Sequence, residues 1–299
     1  MTLKLIVAIL IPSVVVSLIA GPSASMGFGL AMGLGMAVAP VSRPRQSVVL
    51  MLAGAALGAL ASWADSTPWA IAALMLTSAI LFAIANQRSA GLLSLAPVMV
   101  ILFGPGPIQL SWWAAALWIL AGAVTGAAIT RLLKFQAPTM PVDKRTAWEH
   151  GITVGLLSAG IMYWALAADI PHGYWAAVTV VMALRPLAAQ RRETISGRLV
   201  GTLAGAIIAL LAVLLLPTWA ALVIAILGLF FLVWYSMGGS YLMQTLALTP
   251  MLLIFASLGD VERGFELTVE RVLFTVVGVA AAVVLALVLH LADRRRGSR

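Results

Sequence analysis

The chain has 299 residues, of which 63% are hydrophobic and 9% charged, with a mean hydropathy of +1.08; soluble domains run nearer about 45 to 50% apolar and about 25% charged. These proportions exclude a water-soluble globular protein. Zero cysteines exclude disulfides, thiolate metal sites and cysteine nucleophiles, and three histidines, His150, His172 and His290, are too few for extensive metal or acid–base chemistry.

At about 20 apolar residues per span, the length holds about a dozen transmembrane helices and leaves no room for a folded extramembrane domain. Apolar runs between punctuating residues predict spans near 3–21, 24–41, 47–64, 68–86, 90–104 and 111–133, then 151–169, 172–186, 196–217, 218–236, 239–258 and 267–291. The runs are continuously apolar, which favours helices over the alternating strands of a membrane barrel. The first run, followed by "SLIAGPSAS", also resembles a signal peptide with a small-residue cleavage site. Its pairing with a counterpart in the second half favours an uncleaved helix.

Charge placement sets the orientation. With the N-terminus inside, 16 of the 18 Lys and Arg residues fall on cytoplasmic ends and loops, leaving only Arg263 and Arg271 outside. Six of the ten acids fall outside: Asp65, Asp169, Asp260, Glu262, Glu266 and Glu270. This positive-inside asymmetry predicts twelve spans with both termini cytoplasmic, and it accounts for the basic charge without nucleic acid.

The two halves look like copies. "LSLAPVMVILF" (93–103) and "LALTPMLLIFA" (246–256) place Pro97 and Pro250 at an offset of 153, and Leu-Ala-Gly recurs at 52–54 and 203–205. Pro40 and Pro186 each precede a basic loop. Six spans per half is an even number, so the expected architecture is an all-α polytopic membrane protein of two parallel six-helix repeats. Residues 1–133 form the first repeat, 134–150 a cytoplasmic linker, and 151–299 the second with a short basic tail. Five GxxxG patterns (Gly29/Gly33, Gly54/Gly58, Gly122/Gly126, Gly151/Gly155, Gly201/Gly205) predict close helix packing, within one chain or between two copies, or the lining of a pathway.

No GxxxxGK[ST] loop is present, and Lys4, Lys134 and Lys144 lie at membrane ends or in the linker, so ATP-driven work by this chain alone is excluded. The histidines lie at span ends and no acid is mid-membrane, which argues against an enzyme. Polar residues inside spans are therefore the pathway candidates. Tyr241, Gln244, Thr245 and Thr249 cluster around Pro250, while Asn86, Gln87, Arg88 and Ser94 precede Pro97. Broken helices at corresponding positions point to a binding site in a transporter, although kinks of purely structural origin give the same prolines. Arg198 with Thr202 opens one helix and Arg185 closes another; arginine suits carboxylate recognition, and it equally serves as a cytoplasmic anchor. Glu266 and Glu270 enter the last span, where they can pair with Arg271, couple protons or mark the interface. Trp112, Trp113, Tyr174 and Trp175 suit an interfacial aromatic belt or stacking on an aromatic solute.

At "HGYWAAVTVVMALRPLAAQRRETISGRLVGTLAGAIIA" (172–209) the sequence resembles the fusaric acid resistance-like membrane family, which includes bacterial aromatic acid exporters. The matching features are Tyr174-Trp175, Arg185-Pro186, a short basic loop, then Arg198, Gly201-Thr202 and Gly205, followed by Arg271, Thr275 and Gly278. The first half fits as a diverged repeat, with Ala39-Pro40 in place of Arg185-Pro186. The resemblance implies a bacterial inner-membrane secondary exporter of aromatic or other small organic carboxylates. A periplasmic adaptor, an outer-membrane channel and a homodimeric assembly are the expected partners, with no cofactor or metal. The large cytoplasmic domains of the bigger exporters are absent from this sequence. Plant malate channels share the superfamily, so a passive anion channel is the alternative, and a non-transporting scaffold for the adaptor is a third. On this reading Arg185, Arg198 and Arg271 contact or gate the anion, Thr202, Tyr241, Gln244, Thr249, Pro97 and Pro250 shape its path, and Glu266 and Glu270 couple protons.

Overall fold

A computed structural model describes residues 2–89, 92, 94–134, 140–236, 240–257 and 261–297. Among them are α1 (Thr2–Ala20), α2 (Pro22–Val38), α3 (Pro44–Trp63), α4 (Pro68–Asn86), α5 (Leu95–Phe103), α6 (Trp112–Leu132), α7 (Lys144–Ala167), α8 (Tyr174–Ala183), α9 (Ala188–Leu215), α10 (Thr218–Ser236), α11 (Tyr241–Ser257) and α12 (Val261–Gly297), and no strand. A helix stands at each predicted apolar run. Asp260 and Arg299 of the charge argument, Leu93 of the proline motif, residues 135–139 of the linker and the extreme ends of the fifth and eleventh spans lie outside the described residues.

Six helices, α3, α4, α6, α7, α9 and α12, are long and apolar enough to cross a membrane, so this is a multi-pass helical membrane protein. The surface agrees: Leu18, Trp63, Trp69, Leu132 and Trp219 are each at least 70% exposed, which suits lipid and not water. Two predicted spans are shorter than expected. α5 has nine residues and α8 ten, about 14–15 Å of helix against a hydrocarbon core of about 30 Å. The Gly104-Pro105-Gly106-Pro107 run follows α5 and Arg185-Pro186 closes α8, and proline cannot continue a helix. Pro97 falls in the first turn of α5, where its missing N–H has no intrahelical partner to lose. Pro250, by contrast, lies inside α11.

Prolines also start helices. Pro22, Pro44 and Pro68 occupy the first turns of α2, α3 and α4, preset in φ for that position. The α3–α4 turn holds Asp65 and Ser66 in the left-handed region, and the α7–α8 turn holds Asp169 and His172 there.

Residues 1–181 and 182–299 form two compact units. In the first, α2 and α6 run parallel along Gly122 and Gly126, which lie against the Phe28 and Met32 carbonyls. There α4 and α7 run antiparallel, with Gly151 on Ala83 and Gly155 on Ala79. α3 packs on α5 and α6, enclosing Met99, Phe103 and Ile119. In the second unit α9 packs on α11 and α12, and α11 also on α10.

Candidate functional site

The second unit is organised around one face of α9. Gly197 lies against Leu242, Gly201 against Thr245 and Gly205 against Thr249 and Pro250, so α9 and α11 run parallel in close contact. A Cβ on Gly201 would stand 2.8 Å from Thr245 Cβ, and one on Gly205 2.8 Å from Thr249 Cβ and 2.9 Å from Pro250 Cδ; only glycine permits this approach. Pro250 has no N–H for the Leu246 carbonyl four residues back, and that oxygen lies 3.1 Å from the Cβ position of Gly205. The Thr245 hydroxyl donates to the Tyr241 carbonyl (3.1 Å) and the Thr249 hydroxyl to the Thr245 carbonyl (2.9 Å).

Arg198 and Thr202 lie one residue round the helix from this seam. Arg198 is 2% exposed and heads the fully buried side chains by size. Its Nε and Nη2 have no hydrogen-bond partner, and neither does the hydroxyl of fully buried Thr202. On α12, which packs against α9, Arg271 and Thr275 are buried as well, and the Thr275 hydroxyl is likewise unpartnered. A buried guanidinium is costly in protein or lipid unless something polar or anionic meets it. Five N–H donors in a planar fork suit carboxylate or phosphate oxygens.

The remaining expected residues divide. Arg185, at the α8–α9 turn, stacks its guanidinium over the Tyr241 ring, 5.8 Å from the centroid, and the Tyr241 hydroxyl donates to the Met182 carbonyl (3.2 Å). Arg191 donates from Nε to the Arg185 carbonyl (2.9 Å) and from Nη2 to that of Pro186 (3.1 Å). Thr194 donates to the Ala183 carbonyl (2.6 Å). These bonds fasten the turn at which α9 begins. Gln244 Nε2 donates to the Tyr235 carbonyl (3.0 Å), which ties α11 to α10. Glu266 is exposed, Glu270 is half-buried, and Pro97 belongs to the first unit.

The structure therefore groups Arg198, Thr202 and Arg271 on two packed helices. Thr245 and Thr249 lie on the glycine seam beside them, and Arg185 and Tyr241 in a separate cluster at the turn. Thr275 is the member that the sequence reading leaves out of the pathway. The signal for it was the shared spacing of "RLVGT" (198–202) and "RVLFT" (271–275).

The first unit has a polar feature of its own. A cavity of about 230 Å³ is lined by Ser66, Asp169, His172 and Tyr174 among others, and the His172 ring stacks on Trp175 at 5.2 Å and 25°. Elsewhere in this unit Asn86 and His150 are buried, with His150 edge-on to Phe82.

Residues 156–285 match the family model described as fusaric acid resistance protein-like. That segment, less than half of the chain, is similar to the fusaric acid resistance-like family. It takes in Arg185, Arg198, Thr202, Tyr241, Gln244, Thr249, Pro250, Arg271 and Thr275, so the buried arginine pair lies wholly within the fusaric acid resistance-like segment. No curated protein and no solved structure matches the chain.

Proposed function

We propose that this chain is a transporter that moves small organic anions, aromatic carboxylates foremost, out across the bacterial inner membrane by secondary transport. The observation behind this reading is Arg198, a fully buried guanidinium with Nε and Nη2 unpartnered inside a membrane helix bundle. A permanent cation held away from water without a counterion is complementary to a passing carboxylate. The fusaric acid resistance-like segment supports a transport or resistance role, and the His172–Trp175 stack beside the cavity of the first unit suits an aromatic solute.

Twelve crossings with both termini cytoplasmic, two parallel six-helix repeats, a homodimer, and a periplasmic adaptor feeding an outer-membrane channel complete the proposal. The repeat is supported by like packing: α3 packs on α5 and α6 as α9 packs on α11 and α12.

The test is efflux of radiolabelled aromatic and aliphatic carboxylates from proteoliposomes, with and without an imposed proton gradient, for wild type and Arg198→Ala. Gradient-dependent efflux lost in the variant is the expected result. Gradient-independent conductance would replace the exporter with a channel, and absence of movement for every carboxylate would overturn the transport reading in favour of a scaffold.

A further inference from the structure

Threonines buried in the helices of this chain habitually turn their hydroxyls back on the carbonyl four residues earlier. Thr130 donates to Gly126 (2.9 Å), Thr179 to Trp175 (2.9 Å), Thr245 to Tyr241 (3.1 Å), Thr249 to Thr245 (2.9 Å) and Thr268 to Gly264 (2.7 Å). Thr202 and Thr275 do not, and their buried hydroxyls bond to nothing. These same two threonines have an arginine, Arg198 or Arg271, four residues before them, and both arginines are buried. Residues four apart share a helix face, so each helix presents a guanidinium and a free hydroxyl together.

The relative depth of the two pairs follows from packing. A Cβ on Gly264, near the start of α12, would stand 3.2 Å from Val213 Cγ1, near the end of α9, and 3.1 Å from Ser257 Cβ at the end of α11. Starting there, α12 can pack along α9 only by running back antiparallel to it. Counting from this contact, Thr202 is as many residues from Val213 as Thr275 is from Gly264, so the two threonines lie level. Arg198 and Arg271 lie one turn to either side, about 12 Å apart along the axis. Helical side chains lean toward their own N-terminus, and in an antiparallel pair that carries the two guanidiniums apart, not onto a common point.

We propose that α9 and α12 hold two anion-binding stations in series, Arg198–Thr202 and Arg271–Thr275, each taking one carboxylate group, with the level pair of hydroxyls between them. The proposal rests on the reading of the chain as an anion transporter and gives that reading a path. One deep cationic site would retain its anion. Two sites in line let an anion arriving at one displace the anion at the other, the arrangement that lets binding and release coexist.

The experiment is equilibrium dialysis of radiolabelled benzoate against the full-length protein in lipid nanodiscs, beside the proteoliposome efflux assay. Wild type is expected to bind two benzoates per chain, Arg198→Gln and Arg271→Gln one each, and the double variant none. Thr202→Val and Thr275→Val, which disturb the fold least, are expected to keep both sites and weaken their own station about two- to tenfold. One benzoate in wild type, abolished by either arginine variant, would overturn the series in favour of one shared site while the transport reading stands. No benzoate bound by a protein that still exports carboxylates would also overturn the stations alone. Loss of both binding and efflux in wild type would overturn the transport reading with them.

Discussion

Aligned on their shared Leu-Ala-Gly, α3 reads SVVLMLAG (47–54) where α9 reads RLVGTLAG (198–205). Both helices bury one face of this stretch, and each helix packs on two partners, α5 and α6 in one unit and α11 and α12 in the other. In α3 the position of Arg198 is Ser47, whose hydroxyl lies 2.9 Å from that of Ser42 and 3.3 Å from the Arg43 carbonyl it donates to. The position of Thr202 is Met51, buried among Ala39, Ala123 and Ala127. One seam is internally satisfied and apolar. Its counterpart carries a guanidinium and a hydroxyl that have no hydrogen-bond partner at Arg198 Nε and Nη2 and at Thr202, so like packing surrounds a satisfied face in the first unit and an unsatisfied one in the second.

The largest expected effect breaks that comparison directly. Arg198→Ala should abolish carboxylate efflux from proteoliposomes, a loss of about a hundredfold or more if the guanidinium makes charge-assisted bonds to the anion, whereas Ser47→Ala should leave the rate within about twofold. Equal loss in both variants would mean that the arginine acts only through the fold.

Next in size is a glycine at the same aligned place in each seam. A Cβ on Gly205 would meet Thr249 Cβ at 2.8 Å, Pro250 Cδ at 2.9 Å and the Leu246 carbonyl oxygen at 3.1 Å, all on or close to backbone. One on Gly54 would meet Leu34 Cδ2 at 2.7 Å and Met99 Sδ at 3.6 Å, the movable ends of two side chains. Gly205→Ala is therefore expected to destabilise by about 1–3 kcal/mol and Gly54→Ala by clearly less, measured as thermal unfolding in detergent.

Much of this was legible beforehand. Apolar runs located the helices among the described residues because helices that meet lipid are continuously apolar, and Arg198 with Thr202 stood out as polar residues at the head of a span. The length of α8 was not legible, because hydropathy counts the turns at its two ends, His172-Gly173 and Leu184 to Pro186, as part of a span, while the backbone does not continue helically through them. Arg185 reads as an anion contact and Tyr241 as shaping the path from residue type alone, and that the guanidinium of one lies over the ring of the other requires the fold. The depth match of Thr202 with Thr275 requires knowing that Gly264 meets Val213, a contact between segments far apart in sequence.

A third prediction turns the unmet charge into a stability measurement. Removing an unpaired buried cation relieves its desolvation penalty, and substitution of buried ionic groups by apolar residues of similar volume is often stabilising by about 1–4 kcal/mol. Arg198→Met should accordingly raise the unfolding temperature of the anion-free protein, while Ser47→Val, which strips a satisfied hydroxyl, should not. Added benzoate should raise the wild-type value, as any ligand of the native state does, and leave that of the variant almost unchanged. A variant less stable than wild type without anion would show that Arg198 is already satisfied and that the second seam is as self-contained as the first.

The smallest effect concerns how the helices of each unit begin. α7 opens on Asp143, which accepts the Thr146 N–H at 2.9 Å, whereas α9 opens on Leu187 with no capping side chain. Hydrogen bonds from the Thr146 side chain and then its backbone hold the Asp143 carboxyl below its ordinary value. A carboxyl lowered in the folded state contributes stability that is fully present above the unfolded pKa, about 3.9, and that disappears as pH falls through the lower folded value. Amide exchange at Thr146 and Ala147 should therefore gain relative to that at the head of α9 only below about pH 4, and Asp143→Ala should show the same gain at neutral pH. Loss of protection at both helix heads together would mean that acid loosens the bundle as a whole, and the contrast between a capped and an uncapped start would then have no local cause.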